Sequence, residues 1–300
     1  MKKILYIVGI ASLMLFNTAV VNASNEVYYT NRENIEMTEE EYNNLLGLAF
    51  SEEQIERMDL EEFLANKDLH GEIIGTEEKL IETTVTIQNG IKTYSNRVIS
   101  EDEYLQNASM QIQQPTYSPN VSGYFYDGLS WTTIRALESF IVSVNDDYMR
   151  YKADLKWLQV PSDRYYDIIG VGIEAAKVQI SSLIVFREDY KRTNGEYGYT
   201  KLCTPKSSST GASVIFQLPS GAMEWIEAYT YFNVTKKNQS NTITSLAAVG
   251  DYAHGYSSVT PTTLYSNHSV NYIGGIVISS SYDSDFDDTA TANASFVGTW

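Results

Sequence analysis

The chain has 300 residues, with 38 acidic side chains against 21 lysines and arginines, a formal charge of −17 and a single cysteine. So acidic a surface repels nucleic acid and anionic polymers, which excludes nucleic acid as a partner. One cysteine cannot close an internal disulfide, so a core must hold the fold, and the chain is long enough to build one.

The first 23 residues read as a secretory signal. Lys2 and Lys3 precede an apolar run from Ile4 to Phe16, and Val21 and Ala23 are the small residues a signal peptidase requires. The expectation is a secreted, extracellular chain cut after Ala23, its charge deepened to −19 by the loss of two lysines. The run is shorter than the ~20 residues of a membrane span, and no later segment is apolar enough, so no transmembrane segment is expected in the mature chain.

Residues 24–36 read as an extended leader. Residues 37–109 read as a small subdomain of short helices plus a hairpin. Thr38 with Glu41 and Ser51 with Gln54 have the spacing of two capping boxes. Tyr42, Leu45, Leu46, Ile55 and Met58, then Leu60, Phe63 and Leu64, supply the apolar contacts of three helices too short to stand alone. Asn89-Gly90, between alternating segments 79–88 and 91–99, marks a type I′ hairpin. Ser100 and Glu103 start a further short helix, and residues 110–123, with two prolines and no periodicity, read as a linker.

Residues 124–300 alternate as antiparallel strand. Within 149–157, Met149, Tyr151, Ala153, Leu155 and Trp157 share one face, and Arg150, Lys152, Asp154 and Lys156 share the other. Further strands fit 131–144, 166–175, 177–187, 212–218, 224–235, 244–252 and 270–281. The fold class is α+β: mainly an antiparallel β-sandwich, residues 124–300, preceded by a small helical subdomain with a β-hairpin.

The preface TEEEYNNLLGLAFSEEQIERMDLEEF, from Thr38 to Phe63, and the segment WLQVPSDRYYDIIGVGI, from Trp157 to Ile173, resemble segments of exported β-rich proteins of Gram-positive bacteria. That resemblance implies an exported bacterial chain and carries no activity with it.

Catalytic motifs are sparse. Cys203 sits in KLCTPK, which matches no cysteine-protease signature, and no G-x-S-x-G elbow is present, so Cys203 beside His254 reads as a lone thiol and a surface imidazole. The three histidines, His70, His254 and His268, lack zinc-site spacing. In YDSDFDDT, Asp283, Asp285 and Asp287 alternate as some calcium loops begin, but Asp288 stands where glycine is needed and Ala294 where the closing glutamate belongs. Calcium is the one candidate cofactor, against a solvated acidic turn.

The strand at 224–235 carries the strongest binding signal. Ile226, Ala228, Thr230, Phe232 and Val234 make a core face. The opposite face carries Trp225, Glu227, Tyr229, Tyr231 and Asn233, an aromatic row beside polar groups on which flat sugar rings stack. The structural alternative is that the N-terminal subdomain covers this face. The functional expectation is a non-enzymatic extracellular binding protein for a glycan or another surface partner. The alternatives are a secreted hydrolase with acidic catalytic residues and a β-pore-forming toxin, the latter from the Ser/Thr-rich stretches 204–216 and 238–250.

Overall fold

The computed structural model describes residues 26–89, 91–111, 130–282, 285–287 and 290–300. A two-residue pair, β1 (Tyr29–Thr30) and β2 (Glu36–Met37), leads into helices α1 (Glu39–Gly47), α2 (Glu52–Arg57) and α3 (Leu60–Asn66). The hairpin β3 (Glu72–Gln88) and β4 (Ile91–Ile99) follows, then α4 (Glu101–Gln111). Next come β5 (Ser130–Ser143), β6 (Tyr148–Gln159), β7 (Tyr166–Ile173), β8 (Val178–Ile180), β9 (Val185–Arg192), β10 (Tyr197–Thr200), β11 (Thr204–Ser208) and β12 (Gly211–Gln217). The described chain ends with β13 (Met223–Lys236), β14 (Ser245–Ala253), α5 (Pro261–Asn267), β15 (His268–Asn271), β16 (Gly275–Ile278) and β17 (Ala292–Val297).

Two antiparallel sheets face each other. The larger has the order β10-β9-β13-β6-β5-β3-β4, with β8 paired to β13; the smaller has the order β11-β12-β7-β14-β17. Tyr151, Leu155 and Trp157 on β6 and Ile226, Ala228 and Phe232 on β13 meet Ile169, Val171, Val214 and Ala248 of the smaller sheet in the core between them. The α+β sandwich of the sequence is therefore the observed architecture. Cys203 is free, so no disulfide contributes.

Each sheet also carries a cover on its outer face, which makes four layers. Helices α1–α3 cover the larger sheet, where Leu45, Phe50, Ile55 and Phe63 pack on Phe140, Val142, Tyr229 and Tyr231. On the smaller sheet, Leu264 of α5, Val270 and Ile276 of the β15–β16 hairpin and Phe286 pack on Ile168, Ile215 and Ala253. A strand covered on both sides reads as a continuous apolar run, as IIGVGI does in β7.

The chain differs from the expected layout in several places. The hairpin is not set apart with the helices. β3 is far longer than 79–88 and pairs with β5 from Glu72↔Ser143 to Thr86↔Ser130, so residues 37–109 and 124–300 share one sheet. Residues 112–123 of the expected linker lie outside the described residues. The expected strand at 177–187 divides into β8 and β9, and that at 270–281 folds back as β15 and β16 around Asn271, whose side chain accepts from Ile273 and Gly274 N–H. Asn89 takes φ 52°, as the first position of a I′ turn requires. Gly47 and Gly71 pass so closely that a Cβ on Gly47 would lie 2.2 Å from the Gly71 carbonyl oxygen. That contact sets α1 against the start of β3.

Candidate functional site

The strand register lays out the outer face of the larger sheet at its β10 edge. Trp225 pairs with Lys191, which pairs with Tyr197; Glu227 pairs with Asp189, which pairs with Tyr199; Tyr229 pairs with Arg187. The aromatic row expected on β13 is thus real, and two tyrosines of β10 extend it across the sheet. Tyr229 is 1% and Tyr231 5% exposed, and Phe50 meets both rings edge-on at 5.9 and 5.7 Å. Helices α1–α3 lie over them, so this part of the row presents no stacking platform to solvent.

The cover is attached by charge as well as by apolar contact. Arg187 binds Asp189 through two of its nitrogens at 2.9–3.0 Å and reaches Asp59, the cap of α3, at 3.1 Å. Arg57 of α2 pairs with Glu227, and Gln54 donates to Asp154 at 3.0 Å and Glu227 at 3.2 Å. Tyr229 donates to Glu62 at 2.8 Å, and Asn66 donates to the Tyr231 hydroxyl at 3.2 Å. Burial raises the Glu62 carboxyl above its ordinary range. Lys152, fully buried, donates to the Ala49 carbonyl at 2.6 Å, Gln54 at 2.9 Å and Asp154 at 2.6 Å. Arg150 lies 4.3 Å from the centre of the Tyr231 ring, and its Nε donates to Asn233 at 3.4 Å. The basic face of β6 therefore serves the helical cover and its own sheet.

The cover stops short of the β10 edge. Trp225 is half-buried, while Tyr197 and Tyr199 are 44% and 49% exposed. Guanidinium groups hold these rings: Arg57 lies 4.6 Å from the Trp225 ring centre, Arg32 3.7 Å from Tyr197 and Arg187 4.3 Å from Tyr199. Lys191 and Glu224 form a salt bridge at the rim, and Leu202 projects nearby in sequence with 82% of its surface open. Trp225 is the one expected ligand residue that this open end retains. Tyr197 and Tyr199 were not among the expected ligand residues, although the alternation YGYT in a four-residue strand pointed to a shared face.

No family model matches the sequence, and no curated protein matches it. Among solved structures, the collagen-binding domain from a Staphylococcus aureus adhesin overlaps 49% of this chain and 88% of its own length at 8% identity and a TM-score of 0.25. The C-terminal domain of the Streptococcus agalactiae AgI/II polypeptide BspA overlaps 59% of this chain and 80% of its own, at 8% identity and a TM-score of 0.28. Overlaps at these scores carry no argument about fold or function.

The remaining expected residues fall elsewhere. Asp283 lies outside the described residues, and Asp285 is half-buried. Asp287 is 4% exposed and turns inward, pairing with Arg135 at 2.6 Å and accepting His254 N–H at 3.0 Å. Among the described residues no group of three or more His, Cys, Asp or Glu side chains is placed to hold a metal. His254 is buried and pairs with Asp167 at 3.0 Å, not with Cys203, whose thiol burial pushes up to about 11. His268 bridges Ser213 at 2.8 Å and the Leu264 carbonyl at 2.6 Å, which ties α5 to the smaller sheet. Arg164, close in sequence to Asp163 and Asp167, donates to the carbonyls of Pro161, Pro219 and Gly221.

Proposed function

We propose that the protein is an exported, non-enzymatic binding protein that holds a saccharide on the open end of the aromatic row, at Trp225, Tyr197 and Tyr199. The observation that carries this reading is that these three rings share one sheet face, two of them on the edge strand β10 and Trp225 on β13, and remain at least partly accessible where the helical cover ends. Flat aromatic surface flanked by hydrogen-bonding groups suits a sugar, which has apolar ring faces and a polar rim. The guanidinium groups of Arg32, Arg57 and Arg187 fix the rings before any ligand arrives, which lowers the ordering cost of binding. Lys191 and Glu224 supply the polar rim. The signal-like first 23 residues support placement outside the cell.

The test is calorimetric titration of the secreted chain with a panel of soluble oligosaccharides and wall-polysaccharide fragments. Binding to at least one member is expected, and Trp225→Ala or Tyr199→Ala should weaken it about tenfold, the cost of one stacking ring. A panel without binding, or affinity unchanged when Tyr197, Tyr199 and Trp225 are all alanine, would overturn the reading.

A further inference from the structure

A second polar centre lies inside the sandwich, remote from the aromatic edge. Arg135 of β5 is fully buried, and its register with Trp157 places both side chains on the inner face of the larger sheet. Its Nη1 is committed: it donates to Thr83 at 3.0 Å and pairs with Asp287 at 2.6 Å. The ring centres of Trp157 and Tyr252 lie 5.4 and 5.3 Å from the guanidinium carbon. Nε and Nη2, which form the other edge of the guanidinium, have no hydrogen-bond partner among the described residues.

That edge has company. The Trp157 indole N–H, the Tyr256 hydroxyl and the His254 Nε2 are likewise buried without a partner. The three rings are contiguous, with His254 centred 5.2 Å from Trp157 and 4.6 Å from Tyr256. Asp167 positions the imidazole, accepting from His254 Nδ1 while also accepting from Tyr252 and from Gly255 N–H. Buried donors are satisfied in folded proteins, and leaving several unmet in one place is costly. The two guanidinium nitrogens and the indole N–H can only donate and the Tyr256 hydroxyl can donate, while His254 Nε2, opposite an Nδ1 that faces Asp167, accepts; an acceptor would serve the first four.

We propose that this centre binds a small monocarboxylate, its two oxygens received by the Nε–Nη2 edge of Arg135 with Trp157 and Tyr256 donating beside it. The paired donors on one guanidinium edge match carboxylate geometry. The neighbouring carboxylates of Asp167 and Asp287 oppose a dianion, which selects a carboxylate over a phosphate.

The experiment measures melting temperature and binding heat of the full mature chain with sodium acetate, sodium lactate or inorganic phosphate, at constant ionic strength set by chloride. Acetate or lactate should raise the melting temperature and titrate to saturation, while phosphate should do neither. Trp157→Phe and Tyr256→Phe keep an aromatic ring and remove one donor each, so both should fold and bind the carboxylate about tenfold more weakly. No response to either carboxylate overturns the proposal and leaves a hydrated centre. It is also overturned by a response to phosphate alone, or by parental affinity in both variants. None of these outcomes bears on the saccharide titration, because the two sites share no residue.

Discussion

Glu188 on β9 is completely buried in the row of Ala228, and neither carboxylate oxygen has a partner among the described residues. Burial first, then the charges of Asp167 and Asp189, push its carboxyl from the ordinary 4.5 up to about 9. The folded chain therefore holds a proton at neutral pH that the unfolded chain has released. Folding takes up that proton, so the contribution of Glu188 to stability is fully present below about pH 4.5 and is lost as pH rises through about 9. Glu188→Gln removes the uptake and should gain about 3 kcal/mol at pH 7, the cost of protonating a carboxyl that ordinarily titrates near 4.5. Urea unfolding at several pH values between 5 and 9 checks this. The parent should lose stability with rising pH, more steeply than the variant, which keeps a residual slope from Glu138, raised to about 7 mainly by its own burial. Parallel curves would contradict the assignment.

At the scale of elements, the caps were readable and the packing partners were not. Thr38 with Glu41 and Ser51 with Gln54 form the capping boxes that their spacing predicts, and Asn89 turns the expected hairpin. Alternation also placed Met149, Tyr151, Ala153, Leu155 and Trp157 of β6 and Ile226, Ala228, Phe232 and Val234 of β13 on the inward face where they lie. It could not say what lay over the other face. Lys152, Asp154 and Glu227 look like a solvated surface because their partners on α2, Gln54 and Arg57, are polar and charged too. In α3 the apolar count misled: Phe63 is buried, whereas Leu60 and Leu64 are 57% and 56% exposed. Helix α5 escaped notice although Thr260 before Pro261 is a start signal. Arg135 left a clue as well, since it shares parity with the inward Leu137 and Ile141.

The caps bear on stability because α2 has only six residues and cannot persist undocked. It carries Gln54 and Arg57 into the charged layer, so weakening its start should weaken the whole fold. Ser51→Ala should cost about 1 kcal/mol of global stability. Unfolding followed by both tryptophan fluorescence and circular dichroism checks this. A lower midpoint in both probes is expected; an unchanged midpoint, with faster amide exchange confined to residues 52–57, would contradict it.

For the molecule as a whole, four layers replace the two that alternation implied, and this decides which aromatic surface can meet a ligand. The helices after the signal-like segment pack as a cover on the larger sheet. They seal Tyr229 and Tyr231 and leave Trp225, Tyr197 and Tyr199 at the margin. Hydroxyl-radical footprinting of the intact chain, read by mass spectrometry at single residues, measures that seal directly. Tyr197, Tyr199 and Leu202 should oxidise rapidly and Trp225 more slowly, with Tyr229, Tyr231 and Phe50 protected. Oxidation of Tyr229 and Tyr231 as fast as that of Tyr199 would mean that the sheet is open to water and the helical cover is not seated on it.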